Sequence, residues 1–272
     1  MGVTTSQQLQ GYYKLYGAVE VTFSKEVTQL LSFLQDRVYL KVGGVDWPCL
    51  LYSSSLMGAK IILSLKTTQM ARLEAGTSTC QLRYGFRNPD ATEPVVFFVN
   101  VKIKAWNRYE SEAANDLYLM TLEFTQTPPE DLVEILGRFL EANLNAQKRK
   151  DVRIAVTESS IRRLGFTSCN AILVVEKIDR KCLIRDLSFS GSQVLLPGEV
   201  KLLENRPAIL RLVIQETGLP LLLPGKIVHV EEVVDRREIA RVSVEFDVAS
   251  VPHQYKLLIN EHLRLQKSTK QG

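Results

Sequence analysis

Short runs of hydrophobic residues, many of them alternating with polar residues, fill most of the chain and predict β-strands. Between residues 37 and 125 these segments read VYLKV, CLLYS, AKIILSL, TCQLRY, VVFFVNVKI and LYLMTLEF. Between residues 152 and 248 they read AILVVEKI, KCLIRDL, GSQVLLP, AILRLVIQE, LLLPGKIVHVEE and ARVSVEFDV. Turn residues separate successive segments, which favours antiparallel strands joined by short connections.

A helical spacing of hydrophobic residues appears in three other places. Residues 24–35 predict a short amphipathic helix with Ser24 as its N-cap. Residues 128–147 give the clearest helix, with a proline and two acidic residues in its first turn. The chain ends in an amphipathic helix over about 252–267. Each series of strands is therefore followed by one helix.

The two series resemble each other in sequence, which indicates an internal repeat. Residues 51–63 align with residues 184–196. The aligned pairs are Ser55 with Ser188, Gly58 with Gly191 and, further along, Phe124 with Phe246. We therefore expect a mainly β protein made of two tandem β-barrels, each followed by a C-terminal α-helix. The expected domains are residues 1–140 and 152–272, joined by a connector over 141–151.

The net charge is unevenly distributed between these halves. The 272-residue chain has 34 Lys and Arg against 30 Asp and Glu, a net charge of +4. Residues 1–140 carry 13 basic and 14 acidic side chains, whereas residues 141–272 carry 21 and 16. An anionic ligand is therefore expected in the second half, although a basic, solvated face would look the same.

The sequence offers little support for enzymatic, metal or membrane functions. Cys49, Cys80, Cys169 and Cys182 form no C-x-x-C pair, so no zinc or redox motif is present, and reduced thiols fit a cytoplasmic location. The chain contains no Walker A, G-x-G-x-x-G, H-E-x-x-H or G-x-S-x-G motif, and its three histidines are scattered. No signal peptide or membrane span is expected. We expect a binding protein without a cofactor or metal.

Two short motifs in the second half carry the candidate chemistry. Arg149 and Arg153 form an R-x-x-x-R pair just before the first strand of that half. Asp186, Ser188 and Gly191 form a D-x-S-x-x-G motif between two strands. Together and in this order, the motifs resemble the signature of the PilZ domain, a family of cyclic di-GMP receptors, over residues of about 148–265.

The resemblance implies that cyclic di-GMP is the ligand and assigns a role to each motif. The two arginines would contact phosphate and guanine, since a guanidinium matches phosphate oxygens and the O6/N7 edge of guanine. The aspartate and serine would recognise guanine, and the glycine would form the turn. In the family, the position of Lys148 influences whether one or two stacked ligands bind, and a lysine leaves the number open. Ser243 departs from the family pattern, which often has glycine there.

The first copy lacks these features. Ser53 stands where the second copy has its aspartate, and no R-x-x-x-R precedes the first barrel. This arrangement resembles the two-domain PilZ receptors of spirochaetes, with a divergent first domain that does not hold the ligand. That resemblance implies a change in domain arrangement on ligand binding and regulation of a downstream protein partner, in motility or gene expression.

Two other classes of function remain open at this point. The basic second half could bind nucleic acid through a barrel face, although its strands show no aromatic platform of the kind that binds RNA. The chain could also be a ligand-independent interaction scaffold, with LLLPG (221–225) or VVFF (95–98) as its contact surface. Both segments could equally be core strands.

Overall fold

In a computed structural model of the protein, the chain divides into two compact units, Met1–Glu141 and Ala142–Gly272. The residues that the structure describes are 6–74, 80–88, 92–109, 116–148, 152–198, 200–233 and 236–270. The helices are α1 Ser6–Tyr16, α2 Lys25–Leu30, α3 Thr67–Glu74, α4 Glu130–Lys148, α5 Glu158–Arg163 and α6 His253–Lys270.

Fifteen strands account for most of the remaining described residues. The strands of the first unit are β1 Val21–Thr22, β2 Tyr39–Val42, β3 Val45–Pro48, β4 Leu50–Ser54, β5 Gly58–Ser64, β6 Cys80–Phe86, β7 Val95–Arg108 and β8 Leu117–Phe124. Those of the second are β9 Ile154–Ala155, β10 Asn170–Val175, β11 Ile178–Leu187, β12 Gly191–Pro197, β13 Pro207–Val213, β14 Pro220–Val233 and β15 Arg236–Phe246. The prediction of a mainly β protein is confirmed.

The second unit contains a closed barrel of six antiparallel strands. Their order is β10-β13-β14-β15-β12-β11, and pairing of β10 with β11 closes the ring, while β9 pairs with the free end of β11. Leu173, Leu210 and Leu223 are neighbours across three strands and are fully buried inside. Tyr255 and Ile259 of α6 join the same hydrophobic core. The barrel predicted for the second half is confirmed.

The first unit has the same order of strands but a less regular ring. Its sheet runs β1-β4-β5-β8-β7-β6-β2-β3, and β3 and β4 together take the place of β11. The two are separate because Pro48 ends β3, and proline has no N–H to continue a ladder. A backbone bond of 3.2 Å from Cys49 N–H, between β3 and β4, reaches Val38 O, just before β2. A closed barrel in the first unit therefore stays a prediction.

The internal repeat is confirmed at the turn between the paired strands. Ser55 N–H donates to Gly58 O at 2.8 Å, and Ser188 N–H donates to Gly191 O at the same distance. A β-bulge precedes each turn, between Leu51 and Ser53 on β4 and at the matching place on β11. Equivalent atoms are 133 residues apart, as the aligned glycines are. The two turns therefore share one backbone geometry.

The helices differ from the predictions mainly at short segments. The helix predicted over 24–35 is limited to α2, whose N-cap Ser24 accepts a bond from Val27 N at 3.3 Å. The corresponding α5 begins after Thr157 and was not predicted, and neither was α1. The long helices α4 and α6 lie where the hydrophobic spacing placed them. Within the described residues, no helix is both long and apolar enough to cross a membrane.

Candidate functional site

The D-x-S-x-x-G motif forms the tight turn between β11 and β12. Ser188 is fully buried, and its hydroxyl donates to Gly191 O at 3.0 Å, so the serine holds the turn closed. A Cβ at Gly191 would lie 2.5 Å from Val244 O on the neighbouring strand β15. The position therefore requires glycine because the two backbones approach each other too closely for any side chain.

Asp186 lies at the end of β11, just after the β-bulge, and its carboxylate is held on one side. Its Oδ1 accepts a bond of 2.7 Å from Arg153 Nη1 and one of 3.1 Å from the backbone N–H of Gln193. Among the described residues, Oδ2 accepts no hydrogen bond. The carboxylate thus has a fixed orientation and one oxygen available to a donor from outside.

Arg153 reaches this carboxylate because of the register of the short strand that follows it. Ala155 on β9 pairs with Asp186, and Ile154 pairs with Leu187. This register places Arg153, the residue just before β9, beside the carboxylate of Asp186. The side chain of Arg153 is 49% exposed. A guanidinium has five N–H donors, so Arg153 can hold Asp186 and still contact an anion.

The remaining predicted basic residues precede this pair along the chain. Lys148 is the last residue of α4, and its side chain is exposed to solvent. Arg149 lies outside the described residues, so its predicted ligand contact stays a prediction. The structure therefore brings Arg153, Asp186 and the turn of Ser188 and Gly191 together.

Three residues of this site were missed by the sequence analysis. Gln193 supplies the backbone N–H to Asp186, and the Ser192 hydroxyl donates to Asp186 O at 2.8 Å. The phenol of Tyr255 on α6 donates to Ser188 O at 2.8 Å. Tyr255 is fully buried, and burial together with the nearby charge of Asp186 raises its pKa well above the usual value. Its position on the apolar face of a helix gave no signal beyond that of a core residue.

The equivalent place in the first unit has a different set of charges. Glu20, Ser53 and Lys60 precede Arg153, Asp186 and Gln193 by 133 residues. The Ser53 hydroxyl donates to Glu20 Oε2 at 3.1 Å, and Lys60 Nζ forms an ion pair with Glu20 at 2.9 Å. A carboxylate thus stands where the second unit has an arginine, and its charge is balanced within the protein.

The segments considered as scaffold surfaces are parts of strands. VVFF (95–98) lies in β7, where Phe97 is buried and Phe98 is 50% exposed. LLLPG (221–225) lies in β14, where Leu222 is exposed between two buried leucines. Each segment therefore gives one face to a core. Across the described parts of both units, no group of three or more His, Cys, Asp or Glu is arranged to hold a metal ion.

Comparison with known proteins gives matches along both units. The sequence model of the PilZN3 domain matches residues 7–143, and that of the PilZ domain matches residues 147–262. A curated relative from Treponema denticola, named cyclic di-GMP binding protein, is 37% identical over 262 residues. That alignment covers 96% of this chain and 83% of the relative.

Solved structures that match the chain include two complexes with c-di-GMP. PlzA from Borreliella burgdorferi is 24% identical, with a TM-score of 0.43 and coverage of 94% of this chain and 98% of PlzA. YcgR from Escherichia coli is 13% identical, with a TM-score of 0.31 and coverage of 90% of each chain. The two domain matches and the curated relative show that this chain belongs to the two-domain PilZ proteins, with a PilZN3 domain followed by a PilZ domain.

Proposed function

We propose that the protein is a non-enzymatic receptor for cyclic di-GMP and that its second domain, residues 152–272, binds the ligand. The observation that carries the proposal is the Arg153–Asp186 pair, fixed at 2.7 Å beside a tight turn and partly open to solvent. The PilZ match over this region and the name of the Treponema denticola relative support it.

The proposed chemistry uses the two charges of this pair differently. Cyclic di-GMP has two phosphates and two guanines, so it offers both anionic oxygens and a donor edge. Arg153 would contact a phosphate or the O6/N7 edge of a guanine, together with Arg149 and Lys148. Oδ2 of Asp186 would accept from guanine N1–H and N2–H. Micromolar binding needs about 8 kcal/mol, which a few charge-assisted bonds with base stacking can supply.

The turn residues of the motif have a supporting part in this proposal. Gly191 permits the close approach of β12 to β15, which fixes the direction of the strand that follows Asp186. Ser188 holds the turn through its hydroxyl bond to Gly191 O. The predicted guanine contact of Ser188 stays a prediction, because this hydroxyl now donates within the turn.

The proposal extends to what binding achieves. The first domain, residues 1–140, would not hold the ligand, since Glu20 and Lys60 already neutralise each other at the equivalent place. Binding at Arg149 in the connector, residues 141–151, and at Arg153 just after it would change the arrangement of the two domains and so regulate a downstream protein partner in the cytoplasm. The process that the family implies is motility or gene expression.

Isothermal titration calorimetry with cyclic di-GMP tests the ligand and the site. We expect saturable binding by the wild type and a loss of about 10- to 100-fold in affinity for R153A or D186A, since hydrogen bonds to charged groups contribute about 1.5–3 kcal/mol. R206A is the matched control, because Arg206 is similarly exposed and forms an ion pair with Glu176 at 3.3 Å in the same unit. Failure of the wild type to bind would refute the proposal.

A further inference from the structure

Helix α6 contacts both segments that carry the proposed ligand-binding residues. Near its beginning, Tyr255 bonds to the turn that follows Asp186. One and a half turns later, Asn260 bonds to Asn145 on α4, three residues before Lys148. All of these residues belong to the second unit. One helix therefore bonds to the turn that follows Asp186 and to the helix that ends at Lys148.

The contact with the turn is well fixed. Tyr255 donates to Ser188 O at 2.8 Å, and its ring packs edge-on against Phe246 with centroids 5.8 Å apart. The backbone N–H of Phe246 in turn donates to Ser190 O at 2.8 Å. Burial keeps the phenol protonated, so it acts as a donor at any ordinary pH. The turn is thus held at two carbonyls by α6 and by the strand packed against it.

The contact with α4 is a buried pair of amides. Asn145 Nδ2 donates to Asn260 Oδ1 at 2.7 Å, and the two residues are 6% and 3% exposed. A second bond of 2.7 Å joins His253 Nδ1 and Asn143 Oδ1. A buried polar pair between helices fixes their register, because any shift would leave amide groups without partners. The end of α4, whose last residue is Lys148, is thereby fixed relative to α6.

We propose that α6 sets the separation between the two halves of the ligand site, and that Tyr255 and Asn260 are its positioning residues. The inference rests on the function proposed above and adds two residues outside the PilZ motifs. A ligand that must reach Lys148 and Asp186 together requires both segments in place before it binds. Supporting contacts hold such sites within about 0.5 Å of the productive geometry.

The test measures the dissociation constant for cyclic di-GMP in the Y255F and N260A variants of the full chain. Each variant is expected to bind about fivefold or more weakly, the equivalent of one hydrogen bond of about 1 kcal/mol. A variant that is less stable but still fully folded at 25 °C has as many folded molecules available to bind as the wild type. Loss of stability alone therefore cannot weaken its binding. Thermal unfolding without ligand checks that each variant is folded.

The first unit offers a matched control for each variant. Tyr84 is also fully buried, and its hydroxyl is 3.0 Å from Ser54 Oγ, so Y84F removes a comparable bond. Asn100 accepts from Gln81 Nε2 at 3.1 Å, so N100A breaks an amide pair that is partly buried. Both controls are expected to leave the dissociation constant within twofold of the wild type.

The outcomes separate this inference from the function on which it rests. If Y255F and N260A bind as the wild type does while R153A loses binding, the ligand site stands and the role of α6 is refuted. If only one of the two variants binds weakly, α6 positions only one of the two segments, and the inference that it sets their separation is refuted. If the wild type does not bind cyclic di-GMP, the proposed function fails and this inference fails with it.

Discussion

At the scale of single residues, backbone packing explains the glycines of the repeat. A Cβ on Gly191 would lie 2.5 Å from Val244 O, and one on Gly58 would lie 2.4 Å from Leu122 O. Both distances are well below any ordinary contact, and both partners are backbone atoms of a paired strand that cannot rotate away. Glycine is therefore required at both positions by the same close approach of two paired strands in each unit.

Replacing Gly191 with alanine should destabilise the protein by about 1–3 kcal/mol, the usual cost of inserting an extra carbon into a closely packed site. Urea unfolding would measure the change. The control is G11A on α1, where nothing lies within 4 Å of the added Cβ and where alanine favours the helix by about 1 kcal/mol. Equal stability of G191A and the wild type would contradict the close approach of β12 and β15.

The chemistry of the site was only partly visible in the sequence. The turn motif could be recognised because its residues are neighbours along the chain. The pairing of Arg153 with Asp186 could not, because it depends on the register of β9 against β11, more than thirty residues away. Tyr255 was missed for the same reason, since the carbonyl that it contacts belongs to a distant turn.

At the scale of secondary-structure elements, regular patterns were predicted better than short ones. Strands with long alternating runs and the helices α4 and α6 were found, since their periods repeat several times. Helix α5 has six residues with Ile161 as its buried residue, which is too few for a period to appear. Its start is marked instead by a capping box in which Thr157 and Ser160 bond reciprocally. Strand β3 was missed because its four residues are too few for an alternating pattern and include Pro48, although the predicted segment CLLYS does begin directly after that proline.

The packing of α6 introduces a dependence of stability on pH. His262 on α6 is buried, and its Nδ1 has no hydrogen-bond partner in the described part of the chain. Burial and the positive charge of Arg163 on α5 lower the pKa of His262 below its ordinary value of about 6.5. The unfolded chain therefore binds this proton more readily than the folded protein, so stability falls as the pH drops below about 6.5.

We expect H262Q to lose less stability than the wild type between pH 7 and pH 5.5. Urea unfolding at several pH values would show this as a flatter profile for the variant. H229Q serves as the control, because the side chain of His229 is 59% exposed. A wild-type profile that is as flat as that of H262Q would show that protonation at this position does not oppose folding.

At the scale of the whole molecule, the halves share a fold plan but differ in charge. The first is nearly neutral and the second is basic, and the proposed ligand site lies in the basic one. This division was predicted from counting charges along the chain. The sequence did not reveal that Glu20, at the position equivalent to Arg153, pairs with Lys60 in the first unit, because neither residue lies within the turn motif.

Small-angle X-ray scattering with and without cyclic di-GMP tests the proposed change in domain arrangement. We expect the ligand to alter the distance distribution of the wild type, because Arg149 and Arg153 would close over it. The D186A variant should show no change at the same ligand concentration. Identical curves for a wild type that calorimetry shows to be saturated would refute the rearrangement and leave the binding proposal intact.

The repeated turn also bears on how such motifs are interpreted in other sequences. Ser55 and Gly58 make the same bonds and the same close strand contact as Ser188 and Gly191, although the first unit lacks the aspartate and the arginines. The S-x-x-G half of the motif is thus required by the tight turn and by the close approach of the paired strands. In the proposed function, the acidic position and the preceding arginines are the ones that recognise the ligand. A search that weights these positions separately would distinguish receptors from barrels that merely share their architecture.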